Sequence, residues 1–95
     1  MSGSALATKL IRLHGRVQGV YYRESMCHKA AELGVTGWVR NRRDGTVEAM
    51  VQGNEEAVAR MLAWAQRGPE MANVTEMLVA EGSGSYSGFE RRETL

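Results

Sequence analysis

Residues 8–15 alternate, with Lys9, Ile11 and Leu13 on one side, polar Arg12 and His14 on the other, and Leu10 as the exception. A period of two over so short a run predicts a first strand, Thr8 to Gly15. From Tyr22 the period lengthens. Tyr22, Met26, Ala30 and Leu33 recur at helical spacing, which predicts a helix from Tyr22 to Leu33 with Gly34 as its C-terminal cap. Val35 to Asn41 is rich in β-branched and aromatic residues, Arg42 to Gly45 closes on the turn dipeptide Asp44-Gly45, and Thr46 to Gln52 resumes strand character. These three segments read as a hairpin. Asn54 is placed to cap a second helix whose first turn carries Glu55 and Glu56, with Val58, Met61, Leu62 and Ala65 on one stripe and Gly68-Pro69 as the stop.

Ala72 to Glu81 contains Val74, Thr75, Met77, Leu78 and Val79, a fourth strand, before the Gly/Ser-rich loop Gly82 to Ser85 and a last short strand through Phe89. The order βαββαβ plus a terminal strand is that of an α+β, ferredoxin-like sandwich, with two helices on one face of a mostly antiparallel sheet. The 95 residues suit one core, without repeat or linker, so a single domain is expected over 1–95 with an ordered core of about 8–90.

Composition narrows the function classes. At 43% hydrophobic and 24% charged residues, neither disorder nor a fibrous repeat is indicated. Cys27 is the single cysteine, so no intramolecular disulfide or Cys-based zinc site is available, and a cytoplasmic location is expected. The opening MSGSALATKLIRLHG lacks the apolar stretch of a signal peptide, and no segment nears the ~20 apolar residues of a membrane span. Net charge is +1, yet residues 1–45 carry +5 and residues 46–95 carry −4. Ten of the twelve basic residues are Arg, whose fork suits phosphate or carboxylate. A small anionic ligand fits this distribution, as does a solvated basic face.

The candidate chemistry sits in two segments. Between the first strand and first helix lies GRVQGVYYR, in which Gly15 and Gly19 can adopt backbone angles closed to other residues. A loop curling into a helix N-terminus points several N–H groups at one place, where the helix dipole also favours an anion. Arg23, in the first helical turn, can add two parallel charge-assisted hydrogen bonds. The competing reading is a tight turn that merely needs glycine. Neither GxxxxGK nor GxGxxG is present, so nucleotide binding has no support. In GWVRNRRDGTVEAMVQG, Asn41 falls at a strand end, as an amide that aims a water or as a turn residue bonding its own backbone.

The remaining reactive residues have structural readings. Cys27 and His28 project about 100° apart on a helix and cannot pair as nucleophile and base, so Cys27 is assigned to packing. His14, just before the loop, is read as exposed or structural rather than as an anion contact, Trp38 and Trp64 as packed, and the six Met as core filler. Arg40, Arg42 and Arg43 are read as a solvated basic hairpin. Ser83 and Ser85 lack the GxSxG setting of a hydrolase serine.

Taken together, the two segments resemble the acylphosphatase family, whose pattern is an aliphatic residue, GxVQGVxxR, and later G-aromatic-V-basic-N-xxx-GxV-xxxxx-G. Here the matching residues are Leu13, Gly15, Val17, Gln18, Gly19, Val20 and Arg23, then Gly37, Trp38, Val39, Arg40, Asn41, Gly45, Val47 and Gly53. The resemblance implies hydrolysis of acyl phosphates without metal or cofactor. It implies that Arg16, Val17, Gln18, Gly19 and Val20 with Arg23 hold the phosphoryl group while Asn41 orients the attacking water. It also implies inorganic phosphate as product and competitor, with no nucleic-acid or membrane partner; modest size favours a monomer. Two positions depart from the family: Tyr22 stands where Phe is more usual, and Arg91 where an aliphatic residue would continue the last strand's alternation, so that strand is expected to be short.

Two other classes remain at this stage. RNA-binding sandwiches display aromatics on central strands, and this chain has six aromatics with no such run. A phosphate-sensing or interaction domain would keep the loop without turnover, but both Arg23 and Asn41 are retained.

Overall fold

The computed structural model describes residues 6–95. Chain order is β1 (Leu6–Arg16), α1 (Tyr22–Leu33), β2 (Thr36–Asn41), β3 (Val47–Asn54), α2 (Glu55–Arg67), β4 (Asn73–Glu81) and β5 (Phe89–Arg91). Each element expected from the pattern is present, and β1 runs longer than its alternation indicated because pairing with β3 and β4 carries it past the apolar positions. The sheet order is β4-β1-β3-β2-β5. Every neighbouring pair is antiparallel except β2 with β5, which run parallel with Val39 opposite Arg91.

Both helices lie over the face that carries Ile11, Leu13, Val39, Val47 and Val51, all fully buried. From α1 come Tyr22, Met26 and Ala30, and from α2 Val58, Met61 and Ala65, so the two helical stripes meet the alternate residues of the strands. Of the other methionines, Met71 is 62% exposed and is not core filler. Asn54 closes β3 and starts α2, its side-chain oxygen accepting from the Ala57 N–H at 2.8 Å. Gly34, at φ 74°, ends α1 in the left-handed conformation expected of a C-terminal cap.

Tyr22 does more than fill space. Ala65 sits in the last turn of α2, and the residue four further on is Pro69, which has no N–H to offer the Ala65 carbonyl. The buried Tyr22 hydroxyl donates to that carbonyl, while its ring meets Trp64 at 5.5 Å between centroids. Burial accordingly pushes the phenol pKa well above its ordinary value. Tyr22→Phe is expected to cost about 1–3 kcal/mol of unfolding free energy, because it leaves a buried acceptor unpaired. An unchanged urea midpoint would mean that another donor reaches Ala65.

On the sheet face away from the helices, Glu48 is 7% exposed and receives three arginines. Arg40 Nε lies at 2.9 Å, Arg42 Nη1 at 3.2 Å and Arg12 Nη2 at 3.3 Å from its carboxylate oxygens. Arg40 also stacks on Trp38, 4.8 Å from the ring centre, with Arg92 at 4.9 Å. Arg40 and Arg42 are therefore committed to an ion-pair network, whereas Arg43 alone of the three is exposed as expected. Burial raises the Glu48 pKa, but the hydrogen bond and charge of Arg40, with Arg12 and Arg42, outweigh it and hold the carboxyl below its ordinary 4.5. A folded pKa below the unfolded one stabilises the fold above about pH 4.5, and that contribution is lost as pH falls through the folded value. Glu48→Gln should cost about 1–3 kcal/mol at neutral pH. The gap from wild type should shrink in denaturation curves taken below about pH 4.5.

Candidate active site

The loop between β1 and α1 is shaped by what flanks it. At the His14/Gly15 step the pairing of β1 with β4 shifts register, and Gly15 takes φ 115°. A Cβ there would lie 2.2 Å from the Asn73 carbonyl oxygen, so only glycine passes. Val17 and Val20 are buried at 1% and 3% exposure and anchor the loop in the core. Gln18, between them, donates through Nε2 to the Arg42 and Thr46 carbonyls at 2.7 and 2.9 Å. One amide thus ties the loop to the β2–β3 turn directly after Asn41.

Beyond Gln18 the backbone curls. Gly19 has φ 74°, and Tyr21 has φ 62° although it carries a side chain and is 76% exposed. A left-handed tyrosine costs roughly 1–2 kcal/mol, strain of the kind that persists at functional sites. Tyr21 is also the N-cap of α1 and gives it no side-chain hydrogen bond. The first-turn N–H groups therefore have neither intrahelical partner nor cap, at the positive end of the helix.

These groups border a cavity of about 320 Å³, near the small end of ligand sites, walled by Val17 and Gly19, by Arg23 from α1 and by Asn41 from the end of β2. The backbone of Asn41 is fixed on both sides, paired with Val47 of β3 and accepting from the Leu95 N–H at 3.2 Å. Its side-chain oxygen Oδ1 is buried without a hydrogen-bond partner among the described residues. An unpaired buried acceptor costs about 1–3 kcal/mol, and here it belongs to a residue that lines the cavity.

The fold thus brings Val17, Gly19, Arg23 and Asn41 to one place from segments far apart in sequence. Arg16, Gln18 and Val20 are outside the wall. Arg16 is exposed at the end of β1, while Gln18 and Val20 fix the loop's shape from behind. Four residues not singled out as site residues join the lining: Tyr21 and Tyr22, and the pair Glu24 and Arg91, which are 3.0 Å apart across α1 and β5. The signal for Arg91 was its breach of the apolar alternation after Phe89.

Cys27, one turn after Arg23, is half-buried against the core. Burial raises its thiol pKa, opposed by the charges of Arg91 and Arg23, as suits a packing role. Among the described residues, His, Cys, Asp and Glu nowhere gather in a group of three that could hold a metal, and no helix is long and apolar enough to cross a membrane.

Comparison with known proteins finds relatives over nearly the whole chain. The family profile described as Acylphosphatase matches residues 9–91. An acylphosphatase of Thiobacillus denitrificans is 55% identical over 87 residues, covering 92% of this chain and 98% of its own length. One from an Acidovorax species is 52% identical over 93 residues, covering 97% and 96%. The solved structure of an acylphosphatase from Coxiella burnetii superposes with a TM-score of 0.87 at 35% identity, covering 92% of this chain and 93% of that one. With matches that run through the curled loop, Arg23 and Asn41 at nearly full length, the chain belongs to the acylphosphatase family.

Proposed function

We propose that this protein hydrolyses the carboxyl–phosphate bond of acyl phosphates, with Arg23 and the 16–20 loop holding the phosphoryl group and Asn41 orienting the attacking water. Family membership supports the reaction. The observation that carries the residue roles is the meeting around one cavity of Arg23, the start of α1 to which Tyr21 gives no side-chain cap, and Asn41 Oδ1, which has no partner among the described residues.

The chemistry asks little of the protein. An acyl phosphate is a mixed anhydride whose leaving group is already a stable carboxylate, so neither a strong acid nor a metal is needed to expel it. Arg23 and the backbone N–H groups take the charge on the non-bridging phosphoryl oxygens, where it must be stabilised in the transition state. A water donates one O–H to Asn41 Oδ1 and directs its lone pair at phosphorus, opposite the leaving oxygen. The water O–P bond forms as the bridging O–P bond breaks, and the bonding pair departs on the carboxylate. The acyl phosphate dianion and one water give carboxylate and dihydrogen phosphate, which balances atoms and charge.

The test is hydrolysis of benzoyl phosphate in EDTA with inorganic phosphate as competitor. Turnover unaffected by EDTA and inhibited by phosphate supports the reading. A folded protein that binds phosphate without turnover would instead be a phosphate-sensing module. The unpaired Cys27 supports a reducing, cytoplasmic setting, and the size supports a monomer, which the molar mass from light scattering would check.

A further inference from the structure

We infer that Arg91 reads the acyl half of the substrate, selecting acyl phosphates that carry a second anionic group beyond the carbonyl. This rests on the reaction proposed above and extends it from the phosphoryl end to the acyl end. β5 runs parallel to β2, with Phe89 opposite Gly37 and Arg91 opposite Val39. Val39 is fully buried on the helix-covered face, and Phe89 packs against the same core. By the two-residue period of a strand, Arg91 faces that side as well, where an aliphatic residue would satisfy the alternation. It ends instead in the cavity that Arg23 and Asn41 line.

A guanidinium in an apolar register needs a partner, and Glu24 supplies one, accepting from Arg91 Nη1 at 3.0 Å. That contact uses one of five N–H donors and braces the side chain on the cavity wall. The side chain of Arg91 is 49% exposed, so the remaining donors stay within reach of an entering ligand. The phosphoryl group has its own ligands in Arg23 and the loop. A second cation, on β5 and lining the same cavity, is placed for a second anion on the same substrate. A carboxylate suits the planar fork best, and a distal phosphate offers the same charge.

The experiment compares kcat/KM for benzoyl phosphate, with an uncharged acyl group, against succinyl phosphate, with a distal carboxylate. Wild type, Arg91→Leu and Arg91→Lys are measured at low and high salt. Arg91→Leu should lower the succinyl-to-benzoyl ratio about tenfold or more, most of it in KM, because the contact exists before the transition state. Arg91→Lys should retain part of the preference, and salt should erode the ratio in wild type but not in Arg91→Leu. A ratio unchanged in Arg91→Leu, or equal losses on both substrates, would overturn the inference and leave the hydrolysis reading standing. Wild-type protein inactive on both substrates would overturn the hydrolysis reading itself.

Discussion

Replacing Asn41 with alanine is expected to slow benzoyl phosphate hydrolysis by about two to three powers of ten, while inorganic phosphate still competes at near wild-type concentrations. The expectation follows from where the amide sits. Asn41 Oδ1 has no protein donor among the described residues, and its residue lines the cavity at the end of a strand fixed by β3 and by Leu95. Removing it takes away the group proposed to aim the water, without touching the groups proposed to hold the phosphoryl. Losing one such transition-state contact costs about 3–4 kcal/mol, the size of the rate loss stated. Phosphate inhibition separates this from general damage, since a collapsed cavity would weaken both. Wild-type turnover in Asn41→Ala would remove the residue from the mechanism, and Asn41→Asp gives a second reading, because a carboxylate beside the phosphoryl group repels it.

Arg23→Ala should behave differently, with phosphate binding and turnover lost together. Arg23 lies in the first turn of α1 and lines the cavity, and its guanidinium is the positive group proposed to share a phosphate with the loop N–H groups. Two charge-assisted hydrogen bonds contribute about 3 kcal/mol or more, so the inhibition constant for phosphate should rise about a hundredfold or beyond. Turnover should fall at least as far, because charge on the equatorial oxygens must be met in the transition state as well as in the bound state. Arg23→Lys should recover only part, since a point charge cannot form the parallel pair. Phosphate inhibition unchanged in Arg23→Ala would shift the anion site wholly onto the backbone loop.

The contrast between the two variants also bears on the loop. Gln18 spans from the loop to the turn after Asn41, so the parts proposed to hold the phosphate and to aim the water are one mechanical unit. Gln18→Ala should therefore impair catalysis although Gln18 is absent from the cavity wall. Its effect should fall on kcat and KM together, as expected when both sides of the site loosen.

Much of this protein was legible in its residues taken in order. The change of period from two to 3.6 at Tyr22, the apolar stripe of α2, the Asn54 cap and the Gly34 stop are local rules, since each depends on neighbours within a turn or a strand. The loop and hairpin motifs were equally legible, because backbone curvature and a strand-end amide are encoded by short runs such as GRVQGVYYR and GWVRN. Other features join residues that the sequence sets far apart. The Tyr22 hydroxyl meets a carbonyl left without a donor by Pro69, 47 residues on; three arginines close round Glu48; and Gln18 staples two loops. Arg91 appeared in the sequence only as a broken alternation. Its place beside Glu24 and Asn41 came from β5 adding in parallel to β2, so that the C-terminal ends of both strands reach the start of α1. Periodicity fixes which way a side chain points from its own element, and only the packing of elements decides what it then meets.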